Sequence, residues 1–593
     1  MDQITATADP IVVEIVRGAL KAVQHEMEAL IERTAMSPFI REKKDFHAAL
    51  FNRTGKLIAG RSLPTASNLI EPVLERYPAQ TMRPGDIYWY NDCYASKGAV
   101  SHTSDQVFIS PVFADAQILA FAHSWAHFND IGGMRPGSLS ADCTEIYQEG
   151  IIVPPVLVAR DGVMSEELLR LFYRNCRFPA MVRGDTRASL AAIRLGERRL
   201  HELIARFGAA KLDAAFDALL ERTARAAKAK LRALVPNGEY RFSETIDDDG
   251  HGSGPIRIRY RFEVSPERTV LDFTESDDQV QGPLNFLMNE STPKLALTGY
   301  LLGATSEGMM NDGALDLIDE VMVRPGSIVQ PTFPAALGLR GVTMMRNVAG
   351  LLGVMNVATG GKAMAAHSAY VIWYIRGRTD EGETYLMSDG VGVGYGARPY
   401  ADGNDAIYLV AQENYPVEFM DQVFPVRVRS YEINRDTGGP GRWRGGCGMV
   451  REVEVLAAEG MVSLRIDSVN FPPWGVSGGH CARPGRCVIN RGRPDERVLG
   501  PLSDGNIVRR GDVIRVETGG GGGWGHPFDR EPERVLEDVL SHFVGRASAE
   551  ADYGVVLTPD GRAVDEAATR ARRVNRPEAS LFHQNGYQAS LVA

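Results

Sequence analysis

Between residues 91 and 133 the chain reads Asn91-Asp-Cys-Tyr94, then His102-Thr-Ser-Asp105, an apolar segment, and finally His123, His127 and Asp130 ahead of Ile-Gly-Gly. Imidazole nitrogen together with carboxylate oxygen is the donor set of manganese, zinc and iron sites that leave positions open to water or substrate. His102 and Asp105 stand three apart, a spacing that a turn or the first turn of a helix brings to one point. Residues 107–121 are rich in β-formers, so a hairpin or strand pair through them returns His127 to the same place. The chemistry expected of this stretch is one divalent ion held by His102, Asp105 and His127.

The neighbouring polar residues have two readings each. His123 lies four before His127 and shares its face on either a helix or a strand, so it competes as a ligand; otherwise it is a hydrogen-bonded core histidine beside Trp125. Asp130 is expected to orient His127 or, with Glu145, to move protons. Glu145 and Glu149, just before Gly150, could otherwise cap the segment that follows.

The elements that must position these groups are legible in outline. Asp9-Pro10 starts a helix, and apolar residues at Val12, Ile15, Val16, Leu20, Val23, Met27, Leu30 and Ile31 carry its period up to Ser37-Pro38. Residues 45–59 read as two short strands around Asn52-Arg-Thr-Gly55, and residues 186–234 as a helical block broken at Gly208. After Pro236-Asn-Gly238, strands are expected at residues 240–245, 256–264 and 270–273. An amphipathic helix is expected at residues 531–544, and the last thirty or so residues have the composition of a tail. The fold class is α+β, a mixed multi-domain architecture with β-rich modules behind an N-terminal metal-binding part. The expected division is 1–235, 236–410, 411–530 and 531–593.

Composition narrows the function classes. The 593 residues are 44% apolar and 24% charged, with a formal net charge of -10, as in a globular protein that has no use for a phosphate backbone. Arg41-Glu-Lys-Lys44 is the nearest thing to a basic cluster and reads as a solvated helix end. No run of eighteen apolar residues is free of charge and the N-terminus lacks a basic-then-apolar leader, so a cytoplasmic location is expected. Six cysteines without a Cys-x-x-Cys pair are expected to be reduced, buried thiols.

Several motifs match in form only. Gly361-Lys362 lacks the rest of a phosphate loop, Gly392-x-Gly394-x-x-Ala397 runs into Arg-Pro399 where a helix should continue, and Gly475-Val-Ser477-Gly-Gly479 follows Pro472-Pro-Trp where a strand is needed. Gly519 to Gly523 could form an anion-binding nest, but without an adjacent Lys tight backbone packing is the better reading.

Taken together the motifs resemble the hydantoinase B/oxoprolinase family, which includes the metal-bearing large subunits of acetone and acetophenone carboxylases and of ATP-dependent caprolactamase. The matching pieces are Ser37-Pro38 through Asp45, Asn91 to Tyr94, His102 to Asp105, His127 to Gly133, Glu145 to Gly150, Pro334-Ala-Ala336, Asn414-x-Pro416-x-Glu418, Asp436 to Gly448 and Gly519 to Pro527. The resemblance implies a manganese- or zinc-type site on His102, Asp105 and His127, and a separate hydantoinase A-type subunit that binds ATP. It implies the catalytic subunit of an amidohydrolase opening a hydantoin or lactam, with a ketone carboxylase subunit as the alternative. Cys93, Thr103-Ser104 and Trp125-Ala-His-Phe-Asn-Asp130 depart from the family's usual residues and point the substrate pocket away from oxoproline.

Overall fold

The computed structural model describes residues 9–61, 67–302, 311–369, 371–408 and 412–584. Its N-terminal part is built on a seven-stranded antiparallel sheet. The strands are β1 (Phe46–Asn52), β2 (Leu57–Ala59), β3 (Ile87–Tyr90), β4 (Asp105–Ala114), β5 (Gln117–His127), β6 (Val156–Arg160) and β7 (Val163–Met164), in the spatial order β2-β1-β5-β4-β3-β6-β7. The expected hairpin is β4–β5, closed by Asp115 and Ala116, with Asp115 in the left-handed region at φ 54°.

Side chains alternate across this sheet, and its two faces pack differently. Ala120, Ala122 and Ala126 face a core shared with helix α1 (Pro10–Thr34) and the helix Pro179–Phe207. The small side chains let the helices come close: a Cβ on Gly196 would lie 2.6 Å from the Met27 sulfur and 3.2 Å from Ala122 Cβ. α1 starts as expected, with the Asp9 carboxylate accepting from the Ile11 N–H and Pro10 in the first turn. The opposite face, with Phe51, Ile109 and Phe121, is covered by Leu287 and Leu337 from distant loops.

A four-stranded sheet follows, with Gly238–Ile246, Ile256–Val264, Thr269–Asp272 and Glu320–Met322 in it. The buried helix Gly341–Thr359 packs on it, Gly350 against Tyr260 and Gly353 against Phe242. Two further sheets share one core in which Trp373, Met387 and Leu464 of a four-stranded sheet meet Met449, Ile489 and Ile514 of a five-stranded one. The boundary expected at 410/411 falls inside this sandwich, because its strands Val371–Arg378 and Thr384–Val391 precede it.

Three local expectations need correction. The helical block begins at Pro179 rather than residue 186, while its break at Gly208 stands, at φ 81°. The helix expected over 531–544 runs only over Pro532–Leu540, since the chain turns at His542 with φ 65°, and a separate helix, Arg546–Ala551, follows. The tail is structured up to residue 584: Glu566–Arg573 is helical, and Phe582–His583 pairs with Gly475–Val476, burying Phe582 against Trp474. The glycine run is close-packed backbone, with a Cβ on Gly520, Gly521 or Gly522 falling 2.0–2.2 Å from Thr437, Tyr395 or Trp474 backbone atoms.

The packing at Gly353 is directly testable. A Cβ there would lie 2.2 Å from the Phe242 ring, so Gly353→Ala should destabilise the protein by about 1–3 kcal/mol through overpacking. Urea denaturation of the metal-free protein checks this, and an unchanged midpoint would contradict it.

Candidate metal centre

The β4–β5 register sets the site. Asp105 opens β4 and His127 closes β5, and the two are direct cross-strand partners. β1 flanks β5 on the other side with Phe46 opposite Ala126, and the His127 N–H donates to the Asp45 carbonyl at 3.1 Å. Asp45, His127 and Asp105 therefore form one row across three strands. His102 joins the row through a turn in which the Asp105 N–H donates to the His102 carbonyl at 3.2 Å. Asn91 pins that turn, its side-chain amide donating to the carbonyls of Thr103 at 2.7 Å and Ile151 at 2.8 Å.

His102 Nε2 lies 2.8 Å from Asp105 Oδ1 and 3.1 Å from His127 Nδ1, which is itself 3.3 Å from Asp105 Oδ1. Ligands bound at about 2.0–2.2 Å and subtending angles of about 90–110° at one ion sit about 3–3.5 Å apart, so these spacings fit one small divalent cation. Without a cation the cluster satisfies itself poorly: two imidazole nitrogens that both donate to Asp105 have no acceptor between them. His102 Nδ1, on the far side of the ring, is buried and has no hydrogen-bond partner.

The electrostatics suit a cation too. Burial, with Arg340 nearby, lowers the His102 pKa to about 3, so the ring is neutral and free to coordinate. Burial works against the charge of Asp105, but His102 and His127 overcome it and hold the carboxyl below its ordinary range. Asp45 is raised to about 6, by burial first and by the Asp105 charge as well, against the pull of His127. Its Oδ2 stands 3.9 Å from His127 Nδ1. Arg340 reaches the row from the other side, its Nη2 3.8 Å from Asp105 Oδ2 and its Nε donating to Ser101 Oγ at 2.9 Å.

The cluster lines a cavity of about 310 Å³. Much of the rest of its lining is hydrocarbon, with Met344, Met345, Val348, Leu351 and Leu352 supplied by the helix Gly341–Thr359. This is the usual make-up of a small-molecule site, apolar with a few convergent polar groups.

Of the residues singled out in the sequence, the structure brings His102, Asp105 and His127 together and leaves the others elsewhere. Asp130 is buried and held by Arg177 at 3.0 Å and by the N–H groups of Gly137 and Arg177 at 2.9 and 2.8 Å. Glu145 is exposed and caps the short turn Ile146–Glu149 reciprocally with Gln148. Neither lines the cavity, so the proton-transfer roles expected of them have no geometric support. His123 shares the face of His127 but sits four residues along the strand, about 13 Å away, edge-on to Phe51. It is a core histidine, yet neither ring nitrogen has a hydrogen-bond partner. Asp45 and Arg340 were missed, since only strand order and the return of a distant loop place them here.

Comparisons with known proteins identify the family and the fold. The family model described as hydantoinase B/oxoprolinase matches residues 9–527. A protein of Pseudomonas sp. (strain NS671), described as the B-type subunit of a D-/L-hydantoinase, is 30% identical, over 95% of this chain and 98% of its own. The beta subunit of the caprolactamase of Pseudomonas jessenii is 29% identical, over 96% of this chain and 99% of its own. Among solved structures, the ATP-dependent caprolactamase of Pseudomonas jessenii superposes with a TM-score of 0.86 at 26% identity, covering 96% of this chain and 100% of that one. Acetone carboxylase in a nucleotide-free structure shares the fold, with a TM-score of 0.81 at 19% identity, covering 95% of this chain and 82% of that one. Among the described residues no helix is long and apolar enough to cross a membrane.

One buried acid lies behind the site. Glu149 Oε1 accepts from the N–H groups of Leu337 and Gly338 at 2.7 and 2.6 Å, tying down the loop that carries Arg340, while Oε2 has no partner. Burial pushes its pKa from 4.5 to about 8. The folded state therefore holds a proton that the unfolded state has lost, and Glu149's contribution to stability falls as pH rises from 4.5 to about 8. Glu149→Gln, which keeps the acceptor and cannot ionise, should flatten this part of the slope. Denaturation midpoints of metal-free protein across that range check this; parallel slopes for both proteins would contradict it.

Proposed function

The chain belongs to the hydantoinase B/oxoprolinase family, and we propose that it is the metal-dependent catalytic subunit of a heteromeric ATP-dependent amidohydrolase that opens a cyclic amide of the hydantoin or lactam type. Its partner is a hydantoinase A-type subunit, which binds the ATP. The observation that carries the reading is the convergence of His102, Asp105 and His127 in the wall of a largely apolar cavity. Similarity along the whole length to a caprolactamase subunit supports it.

His102, Asp105 and His127, with Asp45 beside them, would hold a manganese, zinc or iron ion, whose chemistry is that of a Lewis acid polarising a carbonyl oxygen. The protein's own groups do the rest. Arg340 keeps a fixed positive charge beside Asp105, where it stabilises negative charge that develops on the substrate oxygen. The Met and Leu wall keeps bulk water away and strengthens both interactions. Burial raises the Asp45 carboxyl above its ordinary range, which suits its Oδ2 to accept a proton from the water that attacks the ring carbonyl.

The fold shared with acetone carboxylase favours a second reading, a subunit of an ATP-dependent ketone carboxylase. There the same cationic end of the cavity would stabilise an enolate instead of a hydrated amide.

Two measurements decide. His102→Ala and His127→Ala should each lose bound metal and ring-opening activity at least about tenfold; wild-type metal content and activity in both would leave the histidines structural. Substrate-dependent ATP turnover by the reconstituted complex should proceed in bicarbonate-free buffer with a ring-opened product, whereas a bicarbonate requirement would select the carboxylase.

A further inference from the structure

Arg41-Glu-Lys-Lys44 was expected to be a solvated helix end, yet Lys43 is fully buried. Its Nζ makes an ion pair of 2.8 Å with Asp389 Oδ1 and donates to the Gly390 carbonyl. The same ammonium lies 4.3 Å from the centroid of the Tyr415 ring and 4.8 Å from that of Tyr408. Asp389, also buried, accepts from Arg451 Nη1 at 3.0 Å and from Trp373 Nε1 at 3.2 Å. All of these partners belong to the sandwich part of the chain or the segment leading into it, not to the N-terminal sheet.

A buried ammonium is costly unless it is fully paired, and here every contact pulls the 43–45 segment onto one place on the second module. The backbone is tied there too, with the Glu413 N–H donating to the Lys43 carbonyl at 3.1 Å. Two residues after the anchor, Asp45 presents its carboxylate to the row with His127 and Asp105. A short peptide has little freedom between an anchored Lys43 and a strand that begins at Phe46.

We propose that Lys43 is a positioning residue: locked onto the Asp389–Gly390 edge of the sandwich, it fixes the peptide that aims Asp45 at the His102, Asp105 and His127 cluster, and so sets how tightly that cluster holds its divalent ion. The inference rests on the reading of the cluster as a metal site. It adds that the site is completed by docking of the sandwich, through a residue that touches neither ion nor substrate.

The test is manganese(II) titration of the full chain, read by the EPR signal of free and bound ion, for wild type, Lys43→Met and His127→Ala. Met fills the volume of the lysine stem, but Asp389 keeps Arg451 and Trp373 on Oδ2 only and Oδ1 loses its partner, so metal-free Lys43→Met should melt below wild type, and binding is read at a temperature where circular dichroism shows both proteins folded. The manganese affinity of Lys43→Met should fall about 10–100-fold, the range for residues that orient ligands, and the zero-field splitting of the residual bound ion should change. Wild-type affinity and an unchanged spectrum in Lys43→Met would overturn the proposal. Where Lys43→Met does not fold, Lys43→Gln, which keeps a donor for the Gly390 carbonyl, is read in the same way. Unchanged manganese binding in His127→Ala would overturn the metal site itself, a result distinct from a failure at Lys43.

Discussion

The site depends on the register of three antiparallel strands. Because Asp105 opposes His127 across β4–β5, and Asp45 directly precedes the residue opposite Ala126 across β1–β5, three ligand-type side chains arrive in a single row. Side chains in a strand alternate faces, so a slip of one residue would send His127 to the helix-covered face. That face is packed with alanines against α1 and the helix Pro179–Phe207, where an imidazole has no room. The small-residue packing of one face thus enforces the polar row on the other.

Burying that row demands compensation. Two carboxylates, two imidazoles and a guanidinium sit together in a largely apolar cavity, where unpaired charge is expensive. Arg340 offsets part of the negative charge, and Asp45 responds with a raised pKa. A divalent cation at the focus of the cluster would complete the balance. The apolar helix that walls the cavity also sharpens its electrostatics, since the same low dielectric that penalises a lone charge strengthens a paired one.

The other modules serve this arrangement from a distance. Glycines 520–523 let backbones approach so closely that no Cβ could be accommodated, and the Gly522 N–H donates at 2.8 Å to the carbonyl of Ala366, one residue before the cavity-lining His367. The sandwich reaches back to the N-terminal part through Lys43 and Asp389. The cavity is thus bordered by several modules at once, the place where small-molecule sites are commonly built.

Local signals in the sequence determined the elements that depend on neighbours in the chain. The cap and 3.6-residue period of α1, the alternating burial of Ile256–Val264, the break at Gly208 and the β4–β5 hairpin follow from propensity and pattern, which short-range sterics enforce. The convergence of His102, Asp105 and His127 was legible for the same reason: one turn and one hairpin join them. Everything that required non-neighbouring strands or loops to meet was decided by the tertiary structure alone. The placement of Asp45 beside His127, the arrival of Arg340, the burial of Lys43 and the capture of Asp130 by Arg177 all depend on which surfaces pack together. Hydrophobic burial selects that packing without direction, and a periodic pattern shows which face is apolar but not what will cover it.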